Sequence, residues 1–163
     1  MSCEIVATKG AVFCVWGKPT RRDLDRVDAQ LRESAHEFKG PVTYITRVPA
    51  ESPAPDSDVR KYLNAAMPRI MESCSTYHVV LEGVGFAAAM KRGILTGLFQ
   101  LGFRRGAFFV HSSVEEVRLR VDNAARAHVD EVLKVAAKKE LLTRSKFVST
   151  PPAPPLQASP PPR

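Results

Sequence analysis

Apolar positions recur along the chain with two periods, crowded into runs of five to seven residues or spaced every third or fourth residue over longer stretches. The first pattern predicts strands and the second helices, because side chains alternate across a pleat and spiral around a helix. Glu4 to Thr8 and Ala11 to Trp16 are two strand-like runs joined by Lys9-Gly10, where glycine supplies the positive φ of a tight hairpin. They are expected to pair antiparallel. Ala11 to Trp16 is apolar at every position, the mark of a strand covered on both faces, so helices are expected above and below the sheet.

Thr20 precedes the segment 21–38, with Asp23 three residues on in an Asp variant of the capping box, and Leu24, Val27, Leu31, Ala35 and Phe38 follow at helical spacing. A first amphipathic helix is expected there, closed by Gly40 as a left-handed cap. Pro41 leads into Val42 to Val48, a strand by its Val, Thr, Tyr and Ile content, which Pro49 ends. After a loop over 49–56, Asp56 or Ser57 caps a helix carrying Val59, Leu63, Ala66, Met67, Ile70 and Cys74. Pro68 lies inside it. A proline there removes one hydrogen bond and crowds the carbonyl four residues back, which predicts a kink or a restart near Met67.

Tyr77 to Leu81 is the next strand, Glu82-Gly83-Val84-Gly85 the turn at its carboxyl end, and Phe86 to Leu101 a helix with Phe86, Met90, Ile94 and Leu98 along one stripe. Gly102 ends that helix and 107–111 is a fifth strand. Ser112 or Ser113 caps a last helix, with Glu115 and Glu116 in its first turn complementing the helix dipole. Its apolar period runs to about Leu142, roughly thirty residues and long for a globular helix. The second half is therefore expected to project beyond the sheet or to pack on a partner.

The order of elements is ββαβαβαβα, which defines an α/β fold. Its sheet is a mixed, mostly parallel one of five strands with an opening antiparallel hairpin and an extended C-terminal helix. Residues 1–142 make this domain. Residues 143–163 make a disordered tail, since seven of the chain's 13 prolines fall in the last 13 residues, where little apolar bulk accompanies them.

Composition narrows the partners. At 44% apolar residues the chain can bury a core. The three cysteines, Cys3, Cys14 and Cys74, have no CxxC spacing and no histidine at metal-ligand spacing, so reduced thiols are expected rather than a disulfide framework or a zinc site. No secretory leader pattern and no run of 18 apolar residues is present, which points to the cytoplasm and to no transmembrane segment. The net charge of +7 invites a polyanion, but the bases are scattered beside acids, so nucleic acid is not the expected partner.

The opening hairpin around Lys9-Gly10, the segment His78-Val-Val-Leu-Glu-Gly-Val-Gly-Phe86 and the closing Phe108-Phe-Val-His-Ser-Ser-Val-Glu-Glu-Val117 together resemble the STAS family in its diverged SpoIIAA-like form. This is the fold of bacterial anti-sigma-factor antagonists. The resemblance spans about residues 2–122 and implies a regulatory module that acts by docking on protein partners. Phosphorylated antagonists carry a Ser or Thr at the turn after the fourth strand. Here that turn, Glu82 to Gly85, has no hydroxyl, so the resemblance implies the docking face but not the phosphorylation switch.

That docking face is assigned to Val84, Gly85, Phe86, Met90, Lys91 and Arg92, an apolar anchor beside a basic rim at the carboxyl end of a parallel strand. Gly83 and Gly85 form a GxG, but Ala88 stands where a third glycine would be needed and no Walker lysine follows, so a tight turn is the simpler reading. Gly93 and Gly97 are assigned to close helix packing. His36, His78, His111 and His128 fall on different elements with no metal spacing, no nucleophilic triad can be named, and paired carboxylates such as Asp23 and Asp25 fall on a charged helix face, so no catalytic residue, metal or cofactor is expected. The expected function is a non-enzymatic regulatory or scaffold module of a bacterial signalling complex, binding a protein partner or a second copy of itself. The alternatives are a small-ligand sensor, with the ligand between the helix after Gly85 and the helix around Pro68, and a polyanion binder using the basic last helix and tail.

Overall fold

The computed structural model describes residues 3–53, 55–83 and 107–142. Five strands, β1 (Cys3–Thr8), β2 (Ala11–Trp16), β3 (Val42–Val48), β4 (Cys74–Leu81) and β5 (Phe108–His111), form one sheet in the order β1-β2-β3-β4-β5. β1 is antiparallel to β2 and all other neighbours are parallel. Four helices lie among the described residues: α1 (Arg21–Phe38), α2 (Ser57–Glu72), α3 (Val114–Arg120) and α4 (Asn123–Lys138). The fold is thus the expected α/β one with a mixed sheet. The expected helix over 86–101 and the tail from 143 lie outside the described residues.

The sheet divides two apolar clusters, as the uniformly apolar β2 requires. Val12, Cys14 and Trp16 face α1 and α2 together with Tyr44, Tyr77 and Val79. Ala11 and Phe13 face α4 together with Ile45 and Val80. The hairpin turns at Gly10, whose φ is +82°, and a Cβ there would lie 2.9 Å from His128 Cγ and 3.1 Å from Phe38 Cε2. Glycine is therefore required twice, for the backbone and for the close approach of α1 and α4.

Helix α1 starts with the expected capping box: the Asp23 N–H donates to the Thr20 hydroxyl and the Asp23 carboxylate accepts from the Thr20 N–H. Its end differs from expectation. Lys39, not Gly40, takes the left-handed conformation at φ 59°, and the Gly40 N–H donates back to the Ala35 carbonyl at 3.0 Å. The ring of backbone bonds is the one a glycine cap makes, shifted by one residue. Helix α2 runs unbroken through Pro68, so there is no restart at Met67. The Asp56 cap and the burial of Ala66, Met67 and Ile70 on either side of the proline offset the missing bond. The helix stops at Glu72, and Cys74 begins β4 instead of ending α2.

The single long last helix is corrected to two. Val121 leaves helical geometry at ψ 140°, and Asp122 caps a new helix by accepting from the Ala125 N–H at 2.8 Å. Periodicity alone missed this, because Val121 remains apolar and buried across the break. Nor does the second half project outward. Val129, Val132, Leu133 and Ala136 of α4 are fully buried against β1 and β2, each of the larger three contributing about 1.5–3 kcal/mol. No described helix is long and apolar enough to cross a membrane.

Candidate functional site

Between α1, α2 and the carboxyl ends of β2, β3 and β4 lies a cavity of about 200 Å³. The pleat builds its floor: Tyr44, Thr46 and Val48 of β3 and Tyr77, Val79 and Leu81 of β4 alternate onto the same face. Leu24 and Val27 of α1 and Leu63, Met67 and Ile70 of α2 form the roof. Trp16 at the end of β2 and Pro19, Pro53 and Pro55 of the loops complete the described lining. Ser52 donates to the Trp16 carbonyl at 2.8 Å and so anchors the proline loop over the strand end.

No charged residue is found among the described residues that line this space. Its polar atoms are few and specific. Tyr44 and Tyr77 stack with ring centroids 4.6 Å apart, and the Thr46 hydroxyl donates to the Tyr77 hydroxyl at 3.3 Å. Burial pushes both tyrosine hydroxyls well above their usual range, so both stay protonated. Tyr77, already accepting from Thr46, retains its own proton as a donor. The roof is clasped from outside. Arg69 donates to buried Asp28 at 2.7 Å, and the Tyr62 hydroxyl donates to Asp25, tying α2 to α1 beside the cavity.

The opposite face of the sheet holds an ion pair and two histidines. Arg47, 5% exposed, makes a bidentate pair with Glu82 at 2.6 and 2.8 Å and donates to the Leu141 carbonyl at 3.2 Å. Toward the β5 edge, His78 Nδ1 and His111 Nε2 are 3.0 Å apart, and His78 Nε2 lies 3.2 Å from the Thr76 hydroxyl. His111 Nδ1 is 3.9 Å from Glu116, which also accepts from the Ser112 N–H. Burial, with the neighbouring His111, lowers the His78 pKa to about 3; burial lowers that of His111 too, against the pull of Glu116. Both rings are neutral at pH 7, one donating and one accepting. Among the described residues no cluster of three potential metal ligands occurs.

The docking residues expected from sequence, Val84, Gly85, Phe86, Met90, Lys91 and Arg92, lie outside the described residues, as do Gly93 and Gly97. Only the base of that turn is described: Glu82 in its pair with Arg47, and Gly83 at φ 123°. The cavity adjoins α2 around Met67, the region named for a small ligand, and its other described walls are α1 and the sheet. Sequence reasoning missed the Cys3–Cys14 contact, with the two sulfurs 3.1 Å apart, and the histidine pair. The latter depends on the β4–β5 register, in which Val80 pairs with His111 and so brings His111 onto the face of His78. No local spacing carries that register.

Comparison of the chain with known protein families, with curated proteins and with solved structures finds no match.

Proposed function

We propose that this protein is a non-enzymatic, STAS-like regulatory module, in which a small apolar ligand in the cavity under α1 and α2 governs docking of a protein partner at the turn after β4. The observation that carries this reading is the cavity itself, at the carboxyl ends of parallel strands, where open α/β sheets bind ligands. A cavity of 150 Å³ lined by aliphatic and aromatic groups stays dry and takes up benzene, so one of about 200 Å³ suits a ring or a short acyl chain, with Tyr77 donating to one oxygen. Leu81 supports the link to the partner: it lines the cavity and is followed directly by Glu82 and Gly83 of the turn. Val84, Gly85, Phe86, Met90, Lys91 and Arg92 then supply the docking face in a bacterial, cytoplasmic complex, with a second copy of the chain as one partner to be tested.

The chain has one tryptophan, and it lines the cavity, so ligand entry is directly observable. Titration with toluene or p-cresol should change Trp16 fluorescence saturably, with p-cresol tighter by its hydroxyl. Leu63→Phe, which fills the space, should weaken both at least tenfold while the far-ultraviolet spectrum is unchanged. A linear, non-saturating response equal in wild type and L63F would refute the ligand reading.

A further inference from the structure

Cys3 and Cys14 sit diagonally across the opening hairpin, since Cys3 pairs with Trp16 and Cys14 with Ile5, and both side chains point to the α1 face. Their sulfurs are 3.1 Å apart, in mutual hydrogen-bond contact and buried. We infer that this pair is a site of oxidative modification, which a hydroperoxide converts reversibly into a disulfide bridging β1 to β2.

Three features favour the bridge over the more usual fate of buried thiols. A disulfide needs the sulfurs about 2.05 Å apart, so the gap must close by only about 1 Å. β1 is an edge strand of the described sheet, hydrogen-bonded to β2 alone, so it can adjust without breaking a ladder to a second strand. Cys3 is the first residue of that strand, where fraying opens the contact most readily. Fraying matters because burial and the contact with Cys3 hold the Cys14 thiol well above its usual pKa, while Tyr44 pulls weakly the other way. The closed pair is thus slow to react and the opened one fast.

The chemistry balances in two steps. A thiol gives up its proton and the thiolate attacks one oxygen of hydrogen peroxide, the simplest such oxidant, breaking the O–O bond to leave a sulfenic acid and a hydroxide that takes up the proton as water. The second thiol then displaces hydroxide from that sulfur, which leaves as a second molecule of water. Two thiols are oxidised by two electrons and one peroxide is reduced. Dithiothreitol or a cellular dithiol reverses the bridge by exchange. Cys74 provides the internal comparison. It is buried, donates to the Ile70 carbonyl at 3.2 Å and has its pKa pushed up to about 12 by burial, with neither other sulfur in hydrogen-bond contact.

The full chain should be treated with hydrogen peroxide, unfolded in guanidinium with N-ethylmaleimide and mapped by mass spectrometry. The expected product is one linked Cys3–Cys14 peptide, lighter by two hydrogens, with Cys74 alkylated. The melting temperature should rise by about 5–10 °C and return with dithiothreitol, as closure of a short loop implies. Cys3→Ala, compared with itself before and after peroxide, should show no rise. Three alkylated cysteines at a peroxide dose that oxidises a free thiol peptide would overturn the inference. So would sulfinic acid at either position, a bridge to Cys74, or a linked peptide with an unchanged melting temperature.

Discussion

Gly10 and the histidine pair show how single positions bind distant parts of the chain. A side chain at Gly10 would have to occupy left-handed backbone, at about 1–2 kcal/mol, and press on His128 and Phe38, at about 1–3 kcal/mol more. Gly10→Ala should therefore lower stability by about 2–5 kcal/mol in urea denaturation. His78 carries a pH prediction. Its folded pKa of about 3 lies below the unfolded value near 6.5, so between these the unfolded chain binds more protons. The stability from the neutral pair is complete above pH 6.5 and is lost as the pH falls toward 3, by about 3 kcal/mol between pH 7 and pH 4. Urea midpoints measured across that range should fall steadily for the wild type. His78→Gln should flatten the slope, and an equal slope in this variant would assign the titration elsewhere.

At the scale of elements, caps decide where helices begin and packing decides whether they continue. Pro68 should stop α2, yet the apolar face on both sides of it is buried and the helix runs on. Val121 should continue the last helix, yet Asp122 offers its carboxylate to the Ala125 N–H and the chain turns there. The break lets α3 lie against β4 and β5 while α4 crosses β1 and β2. Arg118 and Asp130, 3.3 Å apart, join the two helices across the bend. Asp122→Ala should cost about 1 kcal/mol, the usual value of a lost N-cap, measured by chemical denaturation. Asp122→Ser should restore most of it.

At the scale of the molecule, Arg47 ties together segments far apart in sequence. It reaches from β3 to Glu82 at the end of β4 and to the Leu141 carbonyl just beyond α4, 94 residues away in sequence. The pair fixes the base of the turn assigned to partner docking and closes the sheet face opposite the cavity. Glu82→Ala removes the carboxylate that faces a guanidinium only 5% exposed, and should cost about 2–4 kcal/mol by denaturation. Arg47→Met removes the buried charge as well and leaves Glu82 nearer water, so its cost should be smaller. Equal losses in the two variants would mean that packing of the arginine stem, not the ion pair, carries the effect.

Much of the fold was legible in sequence because its signals are local. The hairpin at Lys9-Gly10, the Thr20 and Ser113 caps, the two-faced β2 and the order of strands and helices all follow from side-chain period and turn chemistry within a few residues. Left-handed Lys39, the unbroken α2 and the bend at Val121 did not follow: burial on both sides of Pro68 outweighs its propensity to break α2, and at Val121 the Asp122 cap interrupts an apolar period that itself runs on. The cavity, the Cys3–Cys14 contact, the Arg47 tie and the histidine pair were set only by tertiary structure. Each joins residues whose proximity depends on strand register and helix placement, which the sum of many weak apolar contacts decides and no short motif encodes.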